Sequence, residues 1–173
     1  MTPLSFALLG LIGMEPRSGY ALRKVFETTP LGNYSSSPGS IYPALKALEK
    51  SKLVRRAAAR DARGTGAYHL TPEGGAALDA WLSGPIGELG EAMLRFAFLP
   101  EDAQAILHFL DRFEAEARAQ AAALDSFLAG EGAQGMSARH VMAVEHGRRG
   151  LDASAGWAAW ARERFEAKRG KER

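Results

Sequence analysis

Apolar and polar positions alternate along this chain with two periods, and the change from one to the other marks its architecture. Leu4, Leu8, Leu11 and Ile12 recur at helical spacing behind Thr2-Pro3, a capping residue followed by a proline at the first helical position. Ser18 then caps a second amphipathic run through Tyr20, Leu22, Val25 and Phe26, broken at Pro30-Leu31-Gly32-Asn33. A third run carries Ile41, Leu45 and Leu48 on one face, while Ser40, Tyr42, Lys46 and Lys50 point elsewhere. Its start has two readings. With Ser37 as cap, Pro43 sits in the second turn and strains the helix; with Ser40 as cap, Pro43 falls in the first turn at little cost.

After Lys52 the period shortens to two. Leu53-Val54-Arg55-Arg56 and Ala67-Tyr68-His69-Leu70 read as strands around the polar turn Arg60-Asp61-Ala62-Arg63-Gly64-Thr65-Gly66. Side chains alternate across a strand, so at most one of Arg55 and Arg56 is expected to face a ligand surface. Thr71-Pro72 restarts a helix carrying Ala77, Leu78, Trp81 and Leu82. Three helices, a two-stranded wing with a basic tip and a closing helix make a winged helix-turn-helix over residues 1–83.

Ser83-Gly84-Pro85 is the expected boundary. Beyond it, residues 84–173 read as a shorter helical segment (86–99) and two long helices. Ile106, Leu110, Phe113, Ala117, Ala121, Leu124 and Leu128 form the seam of one. Val144, Leu151, Ala155, Ala158 and Phe165 form that of the other, with Trp157 and Trp160 beside it. Two such helices are not expected to bury both seams on each other alone, so a homodimer is expected. The competing arrangement packs the seams on the first half of the same chain. The expected fold class is mainly α, a winged helix followed by a helical dimerisation domain.

Charge divides the 173 residues more sharply than the overall +2 suggests. Between Arg17 and Arg63 ten basic residues face three acids, a net +7, whereas twelve basic and fourteen acidic residues after Gly84 give −2. A basic first half points to nucleic acid. There is no cysteine, which removes disulfides and thiolate metal sites and fits a reducing cytoplasm. The first apolar run is too short to span a bilayer and lacks the basic flank of a signal peptide. No nucleophile elbow, phosphate loop or zinc-binding histidine pair appears, so no enzymatic activity, cofactor or metal is expected.

The block Ser37-Pro38-Gly39-Ser40-Ile41-Tyr42-Pro43-Ala44-Leu45-Lys46-Ala47-Leu48-Glu49 resembles the PadR family of bacterial transcriptional regulators. Leu8-Leu9-Gly10-Leu11, Ser18-Gly19-Tyr20, Leu53-Val54 and Tyr68-His69-Leu70-Thr71-Pro72-Glu73-Gly74 extend the resemblance in order over about the first half of the chain. The second half is similar only in helical pattern and length, of the small C-terminal-domain type. The resemblance implies a repressor that dimerises through its C-terminal helices, sets its third helix in the major groove of double-stranded DNA and touches the backbone with its wing. It also implies small aromatic or phenolic effectors. One departure is that relatives often carry Arg or Lys just before the last-strand tyrosine, where this chain has Gly66 and Ala67. Wing affinity would then rest on Arg60 and Arg63.

The candidate DNA contacts are Ser18, Tyr20, Ser37, Gly39, Ser40, Tyr42, Lys46, Arg60 and Arg63. A phenol or a hydroxyl can donate to phosphate while its helix face stays packed, and a lysine one turn on can reach phosphate or guanine. Each also has a plainer role: Tyr20 and Tyr42 as core tyrosines, Ser37 and Ser40 as caps, Lys46 as a solvated lysine. Trp157, Trp160, Trp81 and Phe96 are the candidates for an aromatic effector, with interface packing as the plainer reading. An alternative function for the whole is a winged-helix protein-interaction module that does not read DNA.

Overall fold

The computed structural model describes residues 1–34, 38–57, 66–84 and 89–171. The chain divides into two compact units, Met1–Pro85 and Ile86–Arg173.

In the first unit α1 (Pro3–Met14) is the central post. The expected stripe is only part of what it buries: Leu4, Ala7, Leu8, Leu9, Gly10, Leu11 and Ile12 are all buried, nearly the full circumference. The neighbours explain this, because α3 (Ile41–Lys50), α4 (Pro72–Ser83) and β3 (Ala67–Leu70) all pack against α1. Thr2 caps α1 by accepting from the Ser5 amide at 3.2 Å. Ser18 caps α2 (Gly19–Thr28) by accepting from the Ala21 amide at 3.2 Å. Ile41, Leu45 and Leu48 of α3 are buried, as their spacing predicts.

Of the two readings of the α3 start, the α-helix proper begins at Ile41, but Ser40 itself has helical backbone angles (φ -75°, ψ -20°), and Ser37 lies outside the described residues. A 3-10 turn, Pro38–Ser40, leads in, and Ser40 occupies the cap position with no side-chain bond to the helix amides. Pro43 is then the third helical residue, where an amide proton has no intrahelical acceptor to lose. The helix ends in a Schellman arrangement: Lys52 N–H donates to Glu49 O at 2.9 Å and Leu53 N–H to Leu48 O at 3.0 Å. Lys52 takes the left-handed conformation there, at φ 60°.

Both expected wing strands form, and a third joins them. Arg17–Ser18 forms β1 and joins the sheet, in the order β1-β3-β2, with β2 at Val54–Arg56. Both pairings are antiparallel, with Arg17 opposite Tyr68 and Ser18 opposite Ala67 on one side of β3. Arg55 lies opposite His69 and Arg56 opposite Tyr68 on the other. A two-residue strand is too short to show a period; it exists because β3 offers a free edge beside it. Thr71 ties sheet to helix. Its Oγ1 accepts from the Gly74 amide at 3.0 Å to cap α4, and its proton is shared between the carbonyls of Lys52 (2.7 Å) and Leu53 (3.0 Å).

In the second unit α6 (Ala103–Ala129) and α7 (Ala138–Lys171) pack antiparallel, with α5 (Leu89–Ala97) closing one end. The core there is Ala92, Phe109, Leu110, Phe113 and Ala158, with Trp157, Met93 and Phe96 against it. Farther along, Ala117 and Ala121 of α6 and Leu151 and Ala155 of α7 are buried. Small side chains let the backbones close in, so the two seams cover each other over more of their length than the pattern suggests. Two arginines of α7 fix the register: Arg162 pairs with Asp111 at 2.8 Å and Glu114 at 3.5 Å, and Arg148 with Asp125 at 3.4 Å. Among the described residues no helix is long and apolar enough to cross a membrane.

Two outcomes are expected. Thr71→Val removes a cap and an inter-element bond together and lowers stability by about 1–2 kcal/mol in urea unfolding, while Thr71→Ser retains most of it. In the helical unit, bonds from Arg148 and Arg149 hold the Glu145 carboxyl down at about 2, from 4.5. Its contribution is complete above the unfolded value and disappears as pH falls from 4.5 towards 2. Thermal melts across that window will show a smaller acid-induced loss for Glu145→Gln than for the natural chain.

Candidate nucleic-acid interface

The packing of α3 on α1 fixes what α3 shows to solvent. With Ile41 and Leu45 inward, Tyr42 is 47% exposed and Lys46 is exposed, so Tyr42 is not a core tyrosine. Tyr20, at the start of α2, is 61% exposed and is likewise not core. The Arg23 guanidinium lies 5.9 Å from its ring centre. Gly39 is exposed in the turn before α3. The Ser18 oxygen accepts the α2 cap bond, which leaves its proton to donate to a further acceptor. Ser37, Arg60 and Arg63 lie outside the described residues.

Strand β1 brings the start of α2 beside the base of the wing, since Ser18 is paired with Ala67. Ser18, Gly19, Tyr42 and Tyr68 are thereby neighbours: the Tyr42 ring rests on Gly19, and Tyr42 also acts electrostatically on Tyr68. Arg56, absent from the expected contacts, joins them. Arg55 and Arg56 are both exposed, although they alternate: Val54, on the same face as Arg56, is buried, and Arg56 is the last residue of β2. The Arg56 guanidinium sits over the Tyr68 ring at 5.9 Å, which holds a long cation in one place. The cross-strand pairing of Arg56 with Tyr68 is the signal that locates it, and that register is invisible without the fold.

Local pairing reduces part of the basic excess. Arg17 bonds Glu15 at 2.6 Å and Arg23 bonds Glu27 at 3.0 Å. Among the described residues Lys46, Lys50, Lys52 and Arg55 make no such ion pair. Burial pushes the Tyr68 phenol above its ordinary 10.0; Arg56 opposes the rise, while Glu49 and Tyr42 add to it.

The aromatic candidates separate. Trp81 belongs to the first unit, 7% exposed and stacked on Phe6 with ring centres 4.4 Å apart. Trp157 lines a cavity of about 250 Å³ in the second unit, with Met93, Phe113, Ala153 and Ser154. Phe96 stands behind it, its ring edge-on to Trp157 at 5.4 Å. Trp160 is 53% exposed under the Arg164 guanidinium and does not line the cavity. Met93, Ala153 and Ser154 are lining residues outside the seams that helical spacing singles out, because a seam pattern identifies burial and not the gaps within it.

Residues 8–80 match the model of the Transcriptional regulator PadR-like family. Over that region, 73 of the 173 residues, the chain is similar to the PadR-like transcriptional regulators. Transcriptional regulator YqjI of Escherichia coli is 37% identical over 51 residues, 30% of this chain, and the chain spans about a quarter of that relative's length. The PadR-like transcriptional regulator BC1756 of Bacillus cereus is 22% identical, with 95% of this chain and 99% of that chain covered and a TM-score of 0.42. Bacillus subtilis PadR, solved in complex with operator DNA, is 23% identical, with 92% and 97% covered and a TM-score of 0.42.

Because Arg56 restrains the rise of the Tyr68 phenol, Arg56→Ala is expected to move Tyr68 ionisation to still higher pH, read by tyrosine absorbance or NMR titration. An unmoved Tyr68 titration would detach Arg56 from this cluster.

Proposed function

We propose that the chain is a DNA-binding transcriptional regulator, a homodimer that represses by occupying a pseudo-palindromic operator. The observation that carries this reading is the division of α3: Ile41, Leu45 and Leu48 buried, Tyr42 and Lys46 turned to solvent. In this reading α3 enters the major groove, Lys46 meets phosphate or guanine, and Tyr42, Tyr20 and Ser18 bond the backbone. Gly39 and Ser40 approach it at the start of α3. Arg56 adds a held cation at the wing, alongside Ser37, Arg60 and Arg63 from the sequence pattern.

Met142 and Trp160 on α7 and Phe127 on α6 are large apolar side chains left exposed on the helical unit, which supports burial against a second copy. The cavity beside Trp157 supports a small planar aromatic effector, since an indole stacks on such a ring. Its occupancy would bias how α5 packs on α6 and α7, and lower DNA affinity by the difference in ligand binding between the two packings.

Binding to a labelled duplex from the region upstream of its own gene tests the reading at two salt concentrations. Affinity is expected to fall steeply as salt rises, and Lys46→Ala to weaken it and reduce the salt slope by about one ion per subunit. Salt-independent binding, or none, would favour the protein-interaction module. In the same assay a planar phenolic acid is expected to quench tryptophan and release DNA. Ala153→Phe, which fills the cavity, abolishes that response and leaves DNA affinity intact.

A further inference from the structure

We propose that Gly19 is a positioning residue for Tyr42: its bare α-carbon is the seat on which the Tyr42 ring lies, and this seat aims the phenol at the DNA backbone. Only the last clause rests on the function proposed above; the seat itself is a matter of packing.

A β-carbon placed on Gly19 would stand 2.9 Å from Cε1 of Tyr42 and 3.5 Å from its Cδ1. Carbon atoms in contact settle at about 3.5–4.0 Å, so the first approach is closed to any side chain. Cε1 is bonded to the carbon that carries the hydroxyl, so what presses there turns the phenol directly. The seat is held from two sides. Ser18, immediately before it, is paired into the sheet opposite Ala67 and caps α2 through the Ala21 amide. Leu45 lies beneath, 3.6 Å from the same imagined β-carbon, and is fully buried on α3.

No unusual backbone conformation asks for glycine here. Gly19 is not among the glycines with positive φ, and it stands at the first position of a helix, where alanine is at least as well accommodated. The explanation for an absent side chain is therefore the ring above it. That ring is half-exposed, so a methyl group would push it outward into solvent while Leu45 and the backbone stay in place. The fold would lose little, whereas the phenol would lose its direction. A merely structural glycine gives the opposite result, a loss of stability.

The test is a double-mutant cycle on the full chain, using the duplex described above, with thermal melts and the aromatic NMR signals of Tyr42 recorded on the same proteins. Gly19→Ala is expected to leave the melting temperature nearly unchanged, shift the Tyr42 ring signals and weaken DNA binding about fivefold, in the range of one lost hydrogen bond. Tyr42→Phe weakens binding by a similar factor. In the Tyr42→Phe background Gly19→Ala then costs less than about twofold, because there is no hydroxyl left to misdirect. Equal losses from Gly19→Ala in both backgrounds would overturn the proposal. So would unmoved Tyr42 signals, or a large drop in melting temperature. If the natural chain binds no duplex, the DNA reading fails on its own, and the seat is decided by the Tyr42 ring signals in Gly19→Ala.

Discussion

The burial of α1 on nearly every side is the constraint from which the rest of the first unit follows. A helix whose Leu8, Leu9 and Ile12 are all out of water needs cover from several directions. Here α3, α4 and β3 supply it. Each covering element thereby has its rotation set: α3 must turn Ile41, Leu45 and Leu48 to α1, and geometry leaves Tyr42 and Lys46 facing away. Full burial of a leucine-sized side chain contributes about 1.5–3 kcal/mol. Rolling α3 about its axis would expose three such side chains at once, so the polar face is held in place by the apolar one.

The same logic accounts for the small pieces around that face. β1 is only two residues long, yet it fixes the start of α2 against β3, and with it the ground on which Tyr42 rests. Gly74 shows how close the packing is at the other end of the sheet, for a β-carbon there would stand 1.9 Å from the Leu53 carbonyl oxygen. Thr71 reaches both the α4 cap and the chain leaving α3, so the sheet, α4 and the end of α3 share one anchoring hydroxyl. The second unit uses a different economy: alanines at 117, 121, 155 and 158 bring two long helices together, and the rings of Phe96, Phe109, Phe113 and Trp157 fill the wider end. The cavity lies where those large rings and the small side chains at 153 and 154 meet without filling the space.

What the sequence determined by itself was local. Caps at Thr2, Ser18, Thr71 and the spacing of Ile41, Leu45 and Leu48 depend on residues three or four apart, and each is found as its pattern predicts. The end of the first long helix before Gly130 followed from the same short-range rule. The tertiary structure decided everything that requires knowing which distant residues are adjacent. It led into α3 through a 3-10 turn at Pro38–Ser40, added β1 to the sheet, left both Arg55 and Arg56 exposed, set Arg56 on Tyr68, and assigned Trp81 and Trp157 to different units. These outcomes have one physical reason. Helical periodicity records which side of a segment leaves water, but sheet register and ring contacts depend on the three-dimensional closeness of elements tens of residues apart, which no short-range spacing encodes.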